Sequence, residues 1–184
     1  MRMITTALVA LLLSGPALAQ EAVSTNPYDD MVVSDDLSAL PEAVRAMRQQ
    51  LIDATKSGDI ESLQAIIDAQ DTPPTVSFGL PDDPVAYLKE QSADPEGRQI
   101  LAVLRNVLEA PYAKIDASSE TPSYVWPYLA VVPDISNLTP AQTVDAYRLV
   151  SDEDLKGMTE FGGWFAWRVF IGTDGEWQMF VSGD

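Results

Sequence analysis

WFAWRVFIGTDGEWQMFVSGD occupies residues 164–184 and holds three of the four tryptophans and three of the five phenylalanines in a chain of 184 residues. Thr173-Asp174-Gly175 splits it into two apolar runs, the pattern of a β-hairpin. The turn can close in two ways. A two-residue turn at Asp174-Gly175 pairs Thr173 with Glu176 and leaves both faces of the hairpin strongly apolar. A three-residue loop from Thr173 to Gly175, with Gly175 left-handed, pairs Gly172 with Glu176. Phe165, Trp167, Val169, Ile171, Trp177, Met179 and Val181 then share one face. Trp164, Arg168, Phe170, Gln178 and Phe180 share the other. A shift of one residue exchanges the faces, so the cleaner sorting favours the three-residue loop.

That register makes one face core and leaves the other mixed, with Arg168 opposite Phe180 and Gln178 opposite Phe170. A cation over an aromatic ring can stabilise such a face in water. A helix laid over it, with Arg168 at the rim, is the alternative, since most aromatic residues serve packing. A second stripe raises the same choice. Tyr124, Trp126 and Tyr128 alternate and are expected on one side of a strand, with Pro127 implying an edge or a bulge. Three amphipathic rings there would form a platform for a sugar or peptide, or the roof of the core. Tyr124, Trp126, Tyr128, Arg168, Phe170 and Phe180 are therefore the candidate ligand- or partner-binding residues.

Upstream of the hairpin the chain reads first as helices. Pro41 with Glu42 starts one, whose Val44, Met47, Leu51 and Ala54 fall on one face before Gly58 ends it. Asp59 can cap a second carrying Ile60, Leu63, Ile66 and Ile67. Asp83-Pro84 and Asp94-Pro95 repeat a capping carboxylate before a first-turn proline. The helix after Asp94 carries the strongest apolar stripe, Ile100, Leu101, Leu104, Val107 and Leu108. Thr139-Pro140 opens another, with Val144, Tyr147 and Val150 expected inward, and Ser151 caps a last one. Strand signals fall in the second half: PYAKID at 111–116 and SYVWPYLAVV at 123–132 around the polar ASSETP, then the hairpin. Helices first and strands later predict an α+β fold. The expected form is a helical N-terminal half packed on a small curved antiparallel sheet, NTF2-like or cystatin-like in its element order.

The N-terminus has a different purpose. Arg2 precedes an apolar run from Ile4 to Leu13, then Ser14-Gly15-Pro16 and the small-residue site Ala17-Leu18-Ala19. This is the layout of a secretory signal peptide cleaved after Ala19. The run is only about half of the roughly 20 residues a spanning helix needs. Residues 1–19 are thus expected to be a signal peptide, 20–37 a flexible acidic leader, and 38–184 one α+β domain. The expected location is the periplasm, with no integral membrane segment left after cleavage.

Composition narrows the chemistry. The formal net charge is −17, from 28 acids and 11 bases, and becomes one unit more negative when Arg2 leaves. Such a field repels nucleic acid and anionic lipid, and keeps an exported protein dispersed. Cysteine and histidine are both absent. Zinc sites of the Cys/His kind and Ser-His-Asp or Cys-His catalysis are excluded, and neither a cofactor nor a metal is expected. Asp29-Asp30, Asp35-Asp36 and Asp82-Asp83 are carboxylate pairs of the kind that hydrolyse glycosides, but adjacent acids in a leader or loop read as solvated or capping groups. DEDLKG at 152–157 departs from a calcium loop, with Lys156 at the fifth position and Gly163 at the twelfth. Ser57 beside Lys56 has no supporting nucleophile motif.

YVWPYLA, LTPAQ and DGEWQMFVSGD resemble a family of small exported proteins of alphaproteobacteria over most of the chain beyond the signal. The resemblance implies an envelope location and carries over no active site. The sequence reading is a non-enzymatic binding or interaction module whose partner is an envelope protein or a cell-wall glycan or peptide. A carboxylate-dependent hydrolase of cell-wall glycan is the alternative, and a factor docking a basic envelope partner is a third.

Overall fold

A computed structural model of the chain describes Tyr28 and residues 30–183. The expected signal peptide and most of the leader lie outside the described residues. The fold is α+β. Five antiparallel strands stand side by side in sequence order: β1 (Val32–Ser34), β2 (Tyr112–Ile115), β3 (Ser123–Trp126), β4 (Arg168–Gly172) and β5 (Trp177–Val181). Four helices come between β1 and β2: α1 (Glu42–Ser57), α2 (Ser62–Asp68), α3 (Pro84–Glu90) and α4 (Arg98–Leu108). Two more, α5 (Pro140–Tyr147) and α6 (Asp152–Phe161), come between β3 and β4.

Alternation along the strands divides the apolar side chains between two layers of core. Tyr124, Trp126, Val169, Ile171, Trp177 and Phe180 pack with the buried faces of α1 to α4, among them Val44, Leu51, Leu88 and Leu104. Ala113, Ile115 and Val125 face the other way, onto Leu129, Leu155, Met158 and Trp164. Both faces of the sheet are therefore covered, the N-terminal helices on one side and α5 and α6 on the other. The outer side of β5 is occupied as well. Thr75 N–H donates to the Gln178 carbonyl at 2.9 Å, and the Phe180 N–H donates to the Thr75 carbonyl at 2.9 Å. This closes a strand edge that would otherwise invite pairing with another chain.

The starts of α3, α5 and α6 follow the capping chemistry, whereas α4 begins at Arg98 behind Gly97, so Asp94-Pro95 lies before its first turn. Asp83 accepts from the Ala86 N–H, Thr139 and Gln142 form a reciprocal capping box, and so do Ser151 and Asp154. Asp94 gathers the backbone N–H groups of Gln99 at 2.7 Å, Arg98 at 3.1 Å and Glu96 at 3.2 Å. Those donors, Gln99 foremost, hold its carboxyl down at about 2. Because the folded pKa lies below the unfolded one, the stabilisation is complete above the ordinary carboxylate range and is lost as pH falls through about 2. Asp94→Ala is therefore expected to lower the urea midpoint at about pH 6, with the gap to the parent narrowing as pH drops from about 4 towards 2. Equal gaps at both ends of that range would contradict this reading. Arg48, buried on α1, donates through Nε and Nη2 to the Leu108 carbonyl at 3.0 and 2.7 Å. It thereby places a cation at the carbonyl end of α4, where the helix dipole favours it.

Several expectations need correction. The three-residue turn is present, with the Gly172 N–H donating to the Glu176 carbonyl at 2.9 Å and Gly175 at φ +89°. Beyond it the register slips. Ile171 pairs with Trp177, but Phe170 pairs with Met179, Val169 with Phe180 and Arg168 with Val181. Gln178 is the extra residue, and everything after it changes face. Phe180 thus joins Trp177 beneath the helices instead of lying opposite Arg168. Burying a phenylalanine gains about 1.5–3 kcal/mol, which exceeds the roughly 1 kcal/mol of one displaced ladder hydrogen bond. The bulge is the cheaper solution.

Pro127 is at neither a sheet edge nor a bulge. It follows the last residue of β3, the central strand, where its missing N–H ends the ladder. The chain then enters a 3-10 turn, Tyr128–Val131, so Tyr128 packs in the layer opposite Tyr124 and Trp126. On α5 the inward residue is Ala146, while Val144 and Tyr147 are 62% and 52% exposed. The leader was expected to be flexible up to residue 37, yet Val32–Ser34 forms β1 against β2.

Candidate functional site

The six residues singled out from the sequence do not form a surface. Tyr124, Trp126 and Phe180 are buried against α1 to α4, with Tyr112 holding Tyr124 at 6.0 Å and Trp126 at 5.4 Å between ring centroids. Tyr128 is buried on the other side, donating its hydroxyl to Asp145 Oδ2 at 3.1 Å. Burial, helped by that carboxylate, pushes the Tyr128 phenol up to about 12. Arg168 and Phe170 are half-buried on β4. Tyr124, Trp126, Tyr128 and Phe180 are each 5% exposed or less, so these four rings serve the core.

Of the acidic pairs, Asp30, Asp36 and Asp83 serve the fold. Asp30 accepts from the Ala117 and Ser118 N–H groups. Asp36 caps the 3-10 turn Leu37–Ala39. Asp29 lies outside the described residues. The run DEDLKG forms the first turns of α6. Lys56 pairs with Asp53 at 3.1 Å, and the Ser57 hydroxyl donates to the Ala54 carbonyl at 2.7 Å. Among the described residues the buried polar or charged ones are Arg48 and Thr55, so no carboxylate pair is buried. Among the described residues every carboxyl pKa that departs from its ordinary value moves down, as at Asp30, Asp36, Asp53, Asp94, Asp134 and Asp152. A general acid of glycoside hydrolysis needs the opposite shift. Among the described residues no group of three acids could hold a metal ion, and no helix is long and apolar enough to cross a membrane.

What the fold opens instead is a cleft of about 490 Å³ between the C-terminal half of α4, the α5–α6 junction, and the segment leading into β4. Its position follows from local chemistry. The capping box at Ser151 starts α6 just after α5 ends, so the two helices turn sharply at Tyr147–Val150. Gly162 ends α6, its N–H donating to the Met158 carbonyl at 2.8 Å. The chain then runs back through Trp164–Trp167 to β4. The Gly183 N–H donates to the Phe165 carbonyl at 2.7 Å and fixes this segment to the end of the hairpin.

Aromatic side chains dominate the wall. Trp164 is buried there, Phe165 and Trp167 are half-buried, and Tyr147 stands at the rim. Trp167 is backed by Phe180 at 4.5 Å, and Phe165 meets Phe161 edge-on at 6.0 Å. Tyr147 is held by its hydroxyl, which donates to Asp152 Oδ1 at 3.1 Å. Lys156 grips the other oxygen at 2.6 Å and draws the Asp152 carboxyl below the ordinary range, with the Tyr147 hydroxyl adding to the effect. Polar groups are few: Asn106, Ser151, Asp154, Ser182 and Arg148. The Trp164 indole N–H, like that of Trp126 in the core, is buried with no acceptor among the described residues. Such a donor costs about 1–3 kcal/mol unless something else accepts it.

Sequence reasoning missed this site, although Trp164 and Trp167 stand in the stretch that raised the question. The overlooked signal was the distance between them and Tyr147, which only the turn at Ser151 brings to the same opening. No protein-family profile matches the chain, and neither a curated protein nor a solved structure is significantly similar to it.

Proposed function

We propose that this chain is a periplasmic, non-enzymatic binding module of the cell envelope that holds a small organic ligand in the cleft between α4 and α6. The observation that carries the reading is the cleft itself: an aromatic-walled opening of about 490 Å³ with a few polar groups. That volume falls within the roughly 300–1,000 Å³ of small-molecule sites, and the mix of rings and sparse polar groups is their usual lining. The carboxylate there, Asp154, serves the capping box of α6, and no histidine or cysteine exists in the chain to act as base or nucleophile. The signal-peptide layout of residues 1–19 supports the periplasmic location.

The reading is tested by screening a fragment library of mixed charge against the isotopically labelled chain by NMR. Fragments that bind are expected to shift the amide signals of Asn106, Ser151 and Ser182. Binding fragments that shift other regions and leave these three unmoved, or a library with no binders, would overturn it.

A further inference from the structure

The charge and ring arrangement of the cleft narrow its ligand. Resting on the binding reading above, we infer that the cleft selects an organic cation, a small amine or quaternary ammonium. Four aromatic residues, Tyr147, Trp164, Phe165 and Trp167, line the same opening. Ring faces attract ammonium groups, and several rings around one cation form the cage that recognises quaternary ammonium.

The carboxylate at this opening has capacity to spare. Asp154 Oδ2 takes the Ser151 hydroxyl at 2.6 Å and the Ser151 N–H at 3.4 Å. Among the described residues no hydrogen bond reaches Oδ1. The cations nearby are already answered. Arg148, which lines the cleft, lies 3.5 Å from Asp145, and Lys156, outside the lining, lies 2.6 Å from Asp152. The net charge of −17 draws cations towards the surface and repels anions.

The test is calorimetric titration of tetramethylammonium, choline and ethanolamine, with the carbon isostere of choline, a tert-butyl group in place of trimethylammonium, as the neutral control. At least one of the cations is expected to bind about ten-fold or more tightly than the isostere, the difference one to two ring and charge contacts supply. Asp154→Asn is expected to weaken that cation by about ten-fold and leave the isostere unchanged. Asp154 also caps α6, so Tyr147→Leu at the exposed rim provides a second variant. It should weaken the cation with an unaltered melting temperature. Isostere binding equal to that of every cation, with the cleft amides shifting, would overturn the cation inference and leave the binding reading intact. If none of the four compounds binds, the cation inference also fails, and the fragment screen decides the binding reading separately.

Discussion

Trp177→Ala is expected to cost about 3–5 kcal/mol of folding stability, the range for truncating a fully buried large aromatic side chain. Trp177 is 0% exposed and sits where β5 meets the layer of α1 to α4. Its ring packs within the helix-side core, and its indole N–H donates to the Met179 carbonyl at 3.1 Å. Its backbone is held separately: the N–H donates to Gln70 Oε1 at 2.6 Å and the carbonyl accepts from Gln70 Nε2 at 3.3 Å. Gln70 thus pins the backbone at this residue and leaves it little freedom to collapse into the space the ring leaves, which puts the cost high in the range. A domain of this size has about 5–15 kcal/mol in total, so the variant should unfold at much lower urea. A loss below about 1 kcal/mol would mean that Trp177 is not in the core.

Gly175→Ala is the second large effect, and Gly58→Ala is its control. Both glycines have positive φ, +89° at Gly175 and +70° at Gly58. A side chain in that region costs about 1–3 kcal/mol at either site. Space separates them. A Cβ at Gly58 meets nothing within 4 Å. At Gly175 it falls 2.8 Å from the Ala43 carbonyl oxygen and 3.0 Å from both the Ala43 carbonyl carbon and Cβ. Ala43 is in the first turn of α1, so the clash is with helix backbone and cannot be relieved by a rotamer change. Gly175→Ala is expected to be destabilising beyond Gly58→Ala by at least about 1 kcal/mol, from equilibrium unfolding of both variants. Equal losses would mean that the hairpin tip does not press on α1.

The local chemistry of this fold was legible residue by residue. Pro41, Asp83, Thr139 and Ser151 begin helices because their side chains or ring geometry act on the neighbouring backbone alone, and the turn at Thr173–Gly175 depends on one left-handed glycine. The choices made by tertiary packing were not legible. The bulge at Gln178 exists because two rings, Trp177 and Phe180, both gain by facing the same helices, and no pattern within the strand encodes that competition. Val144 and Tyr147 have helical spacing, but the small Ala146 is what fits against the sheet side of α5. β1 is three residues long with exposed valines, too short for alternation to mark it in an acidic leader. The cleft was the least legible feature, since its walls come from α4, α6 and the segment before β4, over sixty residues of chain.

The central claim is that the aromatic strands close the core and that Trp167 alone among the tryptophans is half-buried, the other three being 7% exposed or less. It is tested most directly by recording the tryptophan ring signals with a soluble paramagnetic probe in the buffer. Trp126 and Trp177, both 0% exposed, should keep their intensity while the half-buried Trp167 is broadened. Broadening of Trp126 or Trp177 to the same degree as Trp167 would contradict the account and return the two aromatic strands to the surface.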